Sequence, residues 1–200
     1  MFALTQSEVA RLLSGIDLNK TWGKRDYLII LLLCHTGMRI GEACRLTVYD
    51  VIDPATGQPR EEIYLSARIT KTRKGRAIPF NSTARKAVGK LLEFNRGLSF
   101  STQPEAPLFP ARNHGFLRPR SVQSMVQKLR QEVGMSDKVT PHVFRHTFAT
   151  EVVDSGASLP TLKDILGHKY LTSTQVYTHT STGKKKAATE GLFQRKRHSA

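Results

Sequence analysis

β-Structure is confined to one place in this sequence. Glu62-Ile63-Tyr64-Leu65-Ser66-Ala67-Arg68-Ile69 reads as a strand, Arg76-Ala77-Ile78-Pro79-Phe80 as a second, and Lys71 to Gly75 as the hairpin tip between them. Pro79 points to an edge position, because proline has no N–H for a ladder on both sides. Elsewhere the apolar residues recur with helical period or give way to turn chemistry. Such a chain is α+β, mainly α-helical with a small antiparallel β-sheet.

The helical segments announce their own ends. Thr5-Gln6-Ser7-Glu8 has capping-box spacing, so a short helix is expected over 5–14. Residues 24–35 carry Leu and Ile on most faces, the pattern of a buried helix, and Gly37 stops it. A short helix over 39–46 follows, then turn residues in Asp53-Pro54-Ala55-Thr56-Gly57. Further helices are expected near 82–95, 119–133, 141–154, 159–166 and 171–178. Residues 99–118, with Pro104, Pro107, Pro110 and Gly115, form a loop. No internal repeat is visible.

Of the 200 residues 39% are hydrophobic, enough for a core and too many for a disordered chain. One domain is the default at this length. The longest apolar run, Tyr27 to Cys34, is eight residues, against the roughly 20 that span a bilayer. Residues 1–16 show no basic stretch followed by an apolar one, and so no signal peptide. Two cysteines, Cys34 and Cys44, are too few for a disulfide scaffold, which fits a reducing, cytoplasmic setting.

The formal charge is +15. Between Glu105 and Glu132 there is no acidic residue but five basic ones, Arg112, Arg118, Arg120, Lys128 and Arg130. An excess of this size, spread over a folded chain, favours a polyanion, and nucleic acid first. The basic runs Lys184-Lys185-Lys186 and Arg195-Lys196-Arg197 read as a solvated tail.

Four separated segments hold what phosphoryl chemistry needs. His35-Thr36-Gly37-Met38-Arg39-Ile40-Gly41-Glu42 puts Arg39 after a helix break, with Glu42 three residues on. An arginine fork matches two phosphate oxygens, and a carboxylate at that spacing can steady the fork. The basic tip Thr70-Lys71-Thr72-Arg73-Lys74-Gly75-Arg76 offers a lysine able to enter a groove or protonate a leaving oxygen; alone, it reads equally as a solvated turn. In Pro141-His142-Val143-Phe144-Arg145-His146 the proline suits a first helical turn, and His142 and Arg145 are i,i+3 neighbours. His142 and His146 also have i,i+4 spacing, but Val143 stands where a zincin helix needs glutamate, and the cysteines lack zinc-ligand spacing. Packing or capping suits His146 better than ligation. Finally, Leu166-Gly167-His168-Lys169-Tyr170-Leu171-Thr172-Ser173-Thr174-Gln175-Val176-Tyr177-Thr178-His179 leaves His168 on a turn, with Tyr177 nine residues later.

Together HTGMRIGE, the lysine-tipped hairpin, PHVFRHTFAT and LGHKYLTSTQVYTH, in that order, resemble the tyrosine recombinase (integrase) family over residues 3–180. The resemblance implies that family's catalytic-domain fold and these roles. Arg39 and Arg145 bind the non-bridging oxygens of a scissile phosphate. Lys71 is the general acid, with Lys74 its competitor. His142 handles the nucleophile's proton or steadies the phosphate, His168 donates a hydrogen bond to it, and Tyr177 is the nucleophile. Glu42 is the supporting acid. Arg73, Lys74 and Arg76 at the tip, with Arg118 and Arg120, are the expected DNA contacts.

The chemistry calls for no metal, ATP or other cofactor. The implied partner is double-stranded DNA, with a homo-tetramer on DNA, a monomer or weak oligomer without it, an accessory DNA-bending protein, and no membrane. The expected layout is a catalytic domain over 1–180 and a basic tail over 181–200, without the N-terminal clamp domain of most members. This layout resembles the single-domain members that invert fimbrial promoter segments. Two other readings share the scaffold or chemistry: a DNA-binding regulator without catalysis, and a type IB topoisomerase. The complete set of six catalytic-type side chains argues against the first. The GMRIGE and LGHKYL contexts, closer to integrases, argue against the second.

Overall fold

A helix that is apolar nearly all round has to lie inside. Residues Gly23–Thr36 (α2) do so: Leu28, Ile29, Ile30, Leu32 and Leu33 are all buried. Each such side chain contributes roughly 1.5–3 kcal/mol of burial. The computed structural model describes residues 2–70 and 74–168. Within them α2 packs chiefly on Ser82–Gly97 (α5) and Pro141–Asp154 (α7).

Around this centre lie Gln6–Ser14 (α1), Ile40–Ala43 (α3), Val48–Val51 (α4), Pro119–Glu132 (α6) and Leu159–Leu166 (α8). The ends follow local chemistry. The Thr5 hydroxyl accepts from the Glu8 N–H (3.2 Å) while the Glu8 carboxylate accepts from the Thr5 N–H (2.7 Å). Proline occupies the first turn of α6, α7 and α8, where an N–H has no helical partner. The Leu4 N–H donates to Thr147 Oγ1 (2.9 Å), tying the start of the chain to α7.

Gly37 ends α2 in the left-handed region (φ +61°), its N–H donating to the Leu33 carbonyl (3.1 Å). A Cβ there would also collide with the Phe148 ring of α7. Glycine is needed at this position for both backbone and space.

The sheet has two strands, Glu62–Leu65 (β1) and Arg76–Pro79 (β2), antiparallel, with Ile63 opposite Ile78 and Leu65 opposite Arg76. Ile63, Leu65 and Ile78 face the core, and Arg76 shares their face. Pro79 pairs with Glu62 at the end of the ladder.

The helices near 82–95, 119–133, 141–154 and 159–166 are present as α5 to α8. Residues 99–118 hold neither helix nor strand, only isolated bridges at Pro107, Pro110 and Phe116, and pack inward through Leu108 and Phe109. Three details differ from expectation. The first strand stops at Leu65, because the Ser66 carbonyl captures the N–H groups of Ile69 and Thr70 in a turn. The helix expected over 39–46 is one turn, continued only by i→i+3 bonds such as Leu46 N–H to the Ala43 carbonyl. The helix α4 was not expected, although Thr47 and Asp50 have capping-box spacing and bond accordingly (2.8 and 2.9 Å). The helix expected over 171–178 and the tail over 181–200 lie outside the described residues.

Candidate active site

The break at Gly37 sets Arg39 just before α3, so Glu42 falls in that helix's first turn. Its carboxylate accepts the Arg39 backbone N–H (2.8 Å) and Arg39 Nη1 (3.0 Å). It also accepts Arg76 Nη1 (2.9 Å) and Nη2 (2.7 Å), one on each oxygen. The second pair is a fork-to-fork ion pair. The Glu42 and Arg76 side chains are 2% and 6% exposed, that of Arg39 22%. Burial pushes the Glu42 pKa up. The hydrogen bond and charge of Arg76, then those of Arg39, outweigh it and hold the carboxyl below its usual value. Arg39 Nε and Nη2 have no hydrogen-bond partner among the described residues.

Arg145 enters from α7, buried at 5% exposure. Its Nη1 donates to the Gly37 carbonyl (2.7 Å) and its Nη2 to the Leu166 carbonyl (2.6 Å). Both acceptors lie at helix C-termini, where aligned peptide dipoles favour a cation. The guanidinium thus joins the end of α2 to the end of α8.

Gly167 (φ +64°) closes α8 and turns the chain to His168, whose N–H donates to the Lys163 carbonyl (3.1 Å). The half-buried His168 imidazole has its pKa pushed down to about 4, first by burial, then by the charges of Arg145, Arg39, Arg76 and His146. His168 is therefore neutral at pH 7, with Arg39, Arg76 and Arg145 around it. The His146 pKa is also lowered, by burial first and then by His142 and Arg145. The half-buried His146 sits one residue beyond Arg145.

Three guanidinium groups against one carboxylate leave the cluster positive. A cavity of about 870 Å³ opens beside it between β2 and α8, lined in part by Lys74, Arg76, Lys163 and His168. Glu62 and Asp164 also line it, and the net positive charge that suits an anion belongs to the Arg39, Arg76 and Arg145 cluster beside it.

Arg39, Glu42, Arg145 and His168 are thus brought together. His142 stands exposed in the first turn of α7, one turn before Arg145. Lys74 is exposed beside the tip, where its carbonyl accepts from the Thr70 hydroxyl (2.9 Å). Arg118 and Arg120 are exposed at the start of α6. Lys71, Arg73 and Tyr177 lie outside the described residues. Among those described, no three His, Cys, Asp or Glu side chains gather as a metal-binding group.

Arg76 differs from its expected place among the surface DNA contacts. It is buried, with all three kinds of guanidinium nitrogen engaged: Nη1 and Nη2 by Glu42 and Nε by the Ile165 carbonyl (2.9 Å). The physical reason is strand period. Arg76 and Ile78 are two apart and face the same way. That signal was present in the sequence. The carbonyl acceptors of Gly37, Ile165 and Leu166 had no sequence signal, since any residue offers a carbonyl.

The sequence pattern of the phage integrase family matches residues 3–184. Tyrosine recombinase XerC of Bacillus subtilis (strain 168) is 34% identical over 182 residues, which cover 89% of this chain and 57% of that protein. The crystal structure of XerA recombinase superposes with a TM-score of 0.74 at 29% identity, over 98% of this chain and 66% of that one. The Tn1549 transposon integrase, solved in complex with transposon right end DNA, gives a TM-score of 0.77 at 26% identity, over 96% and 66%. The chain spans somewhat over half the length of curated relatives such as this one. The described residues form a mainly helical fold with a small two-stranded antiparallel sheet, and that fold matches these recombinase structures. On the family pattern and the identity to XerC together, the chain belongs to the phage integrase family.

Proposed function

We propose that this chain carries the catalytic centre of a site-specific DNA recombinase that cleaves and rejoins strands through a 3′-phosphotyrosyl intermediate. The observation that carries the reading is the convergence of Arg39, Arg145 and neutral His168 on one positive cluster, with Arg39 held by Glu42 and Arg145 by the ends of α2 and α8.

In this mechanism the Tyr177 phenol oxygen attacks the scissile phosphorus and the bond to the 5′ oxygen breaks. The phenol proton passes toward His142, and Lys71 (or Lys74 beside it) delivers a proton to the leaving 5′ oxygen. The products are a 3′-phosphotyrosyl ester and a free 5′ hydroxyl. Because one phosphodiester is exchanged for another, the reverse attack by a 5′ hydroxyl reseals the strand without ATP.

Energetics give the cations their task. A tyrosine of pKa about 10 is only about one-thousandth ionised at pH 7, a deficit of roughly 4 kcal/mol. Guanidinium groups fixed around the phosphate offset much of it by stabilising charge that grows in the transition state. Neutral His168 adds one N–H donor without a second proton to lose.

Double-stranded DNA is the partner in this reading, and strand exchange assembles four protomers on two duplexes. Lys74, Arg118 and Arg120, all exposed, and Arg73 supply backbone contacts. A nicked suicide duplex, which loses its free 5′ end on cleavage, tests the reading. The wild type accumulates a protein–DNA adduct resistant to denaturant, and Tyr177→Phe binds the duplex without forming one. Adduct formation by the Phe variant removes Tyr177 from the mechanism.

A further inference from the structure

The sequence places Arg76 at the base of a basic hairpin tip, and its surroundings give it different work. It opens β2 opposite Leu65, on the inward face shared with Ile63 and Ile78. From there one planar group reaches two elements. Its two terminal nitrogens hold both oxygens of Glu42, at 2.9 and 2.7 Å. Its Nε holds the Ile165 carbonyl at the end of α8, at 2.9 Å. The contact with α8 is close: a Cβ on Gly167 would come within 2.7 Å of Arg76 Cδ.

Each arm ends beside a residue of the proposed centre. The other bonds of Glu42 go to Arg39, through its backbone N–H and Nη1. The α8 arm ends three residues before His168, and the next carbonyl, that of Leu166, is the one held by Arg145.

A buried ion pair is a weak means of stabilisation, because desolvation takes back most of the Coulombic gain. A rigid fork with three directed donors is a strong means of fixing distances. No surface DNA contact needs such an arrangement, and the Nε, Nη1 and Nη2 of Arg76 are all already engaged by protein acceptors.

We propose that Arg76 is a positioning residue for strand cleavage: through Glu42 on one side and the end of α8 on the other, it fixes Arg39 and His168 relative to each other. This rests on the function proposed above. The step Arg76 serves is the in-line displacement, and it takes no part in proton transfer.

Arg76→Lys keeps the charge and loses the fork, since an ammonium group is a point donor. The rate constant for adduct formation on the suicide duplex is expected to fall about 100-fold, the scale of a 1 Å misplacement. DNA affinity stays within about threefold and its salt slope is unchanged, whereas Arg118→Ala, a loss of an exposed cation, lowers the slope by about one. The His168 ring resonance, assigned by its absence in His168→Gln, is expected to shift in Arg76→Lys without DNA present.

Glu42→Asp is the second variant. It keeps the charge and withdraws the carboxylate by one methylene, so the fork must follow and the His168 resonance must move again. A wild-type cleavage rate in Arg76→Lys, a loss confined to affinity and salt slope, or a His168 resonance unmoved in the variant that folds would each overturn the proposal. If the wild type forms no adduct at all, the strand-cleavage reading fails, and the resonance alone then decides whether Arg76 positions His168.

Discussion

Arg145 Nη1 and the Gly37 carbonyl meet at 2.7 Å across 108 positions of sequence. The bond sits at the C-terminus of α2, and the second arm of the same guanidinium grips the C-terminus of α8. A side chain that binds a phosphate in the proposed mechanism is therefore also the clasp between two helix ends. Arg145→Lys cannot span both carbonyls. Adduct formation is expected to drop on the order of 100-fold or more, read by single-turnover kinetics on the suicide duplex.

The glycine on the other side of that bond is equally constrained. Gly37→Ala puts a side chain into left-handed backbone and against the Phe148 ring. The backbone term costs roughly 1–2 kcal/mol and the overpacking another 1–3. Urea unfolding measures the loss; a midpoint equal to wild type would show that neither constraint holds.

Glu42→Ala leaves the buried Arg76 charge without its partner. The expected destabilisation is about 3–5 kcal/mol. Glu42→Gln, which retains an acceptor oxygen, should cost less. Thermal or urea unfolding of the two variants checks the order.

Stability should depend on pH through His168. Its folded pKa, about 4, lies below the ordinary histidine value of 6.5, so the unfolded chain binds more protons between these limits. The contribution is fully present above pH 6.5 and is lost as pH falls toward 4. His146 and His35, also lowered mainly by burial, act in the same direction. Comparing urea midpoints at pH 7 and pH 5 isolates His168: the decline should be shallower in His168→Gln. Equal declines would mean that His168 is not held neutral.

The exposed cations should behave differently from the buried ones. Arg118→Ala and Arg120→Ala are each expected to weaken duplex binding and to reduce the salt slope by about 0.9, with the fold unchanged. Binding measured between low and moderate salt gives the slope.

Much of this architecture was legible before any coordinates, because its signals are local. Thr5 and Glu8 cap each other within four residues, Pro119 and Pro141 open helices, and Gly37 and Gly167 close them. The pairing of Arg39 with Glu42 was legible for the same reason, being three residues apart. What escaped depends on partners distant in sequence. Arg145 is held by carbonyls 108 and 21 residues away, and Arg76 by Glu42 34 residues away. In the sequence the run of basic residues around the tip masks the two-residue period that links Arg76 to Ile78 on the inward face. The Thr47–Asp50 cap of the short α4 is a local signal too, but the turn residues that follow within three positions obscure it.

The central claim is tested most directly by finding which atom carries the DNA. After trapping on the suicide duplex, digestion with trypsin and nuclease releases the peptide 170–184, which contains both Tyr170 and Tyr177. Fragmentation in the mass spectrometer is predicted to place a 3′-linked nucleotide on Tyr177. A nucleotide on Tyr170 or on another residue, or a 5′ linkage, would contradict the account.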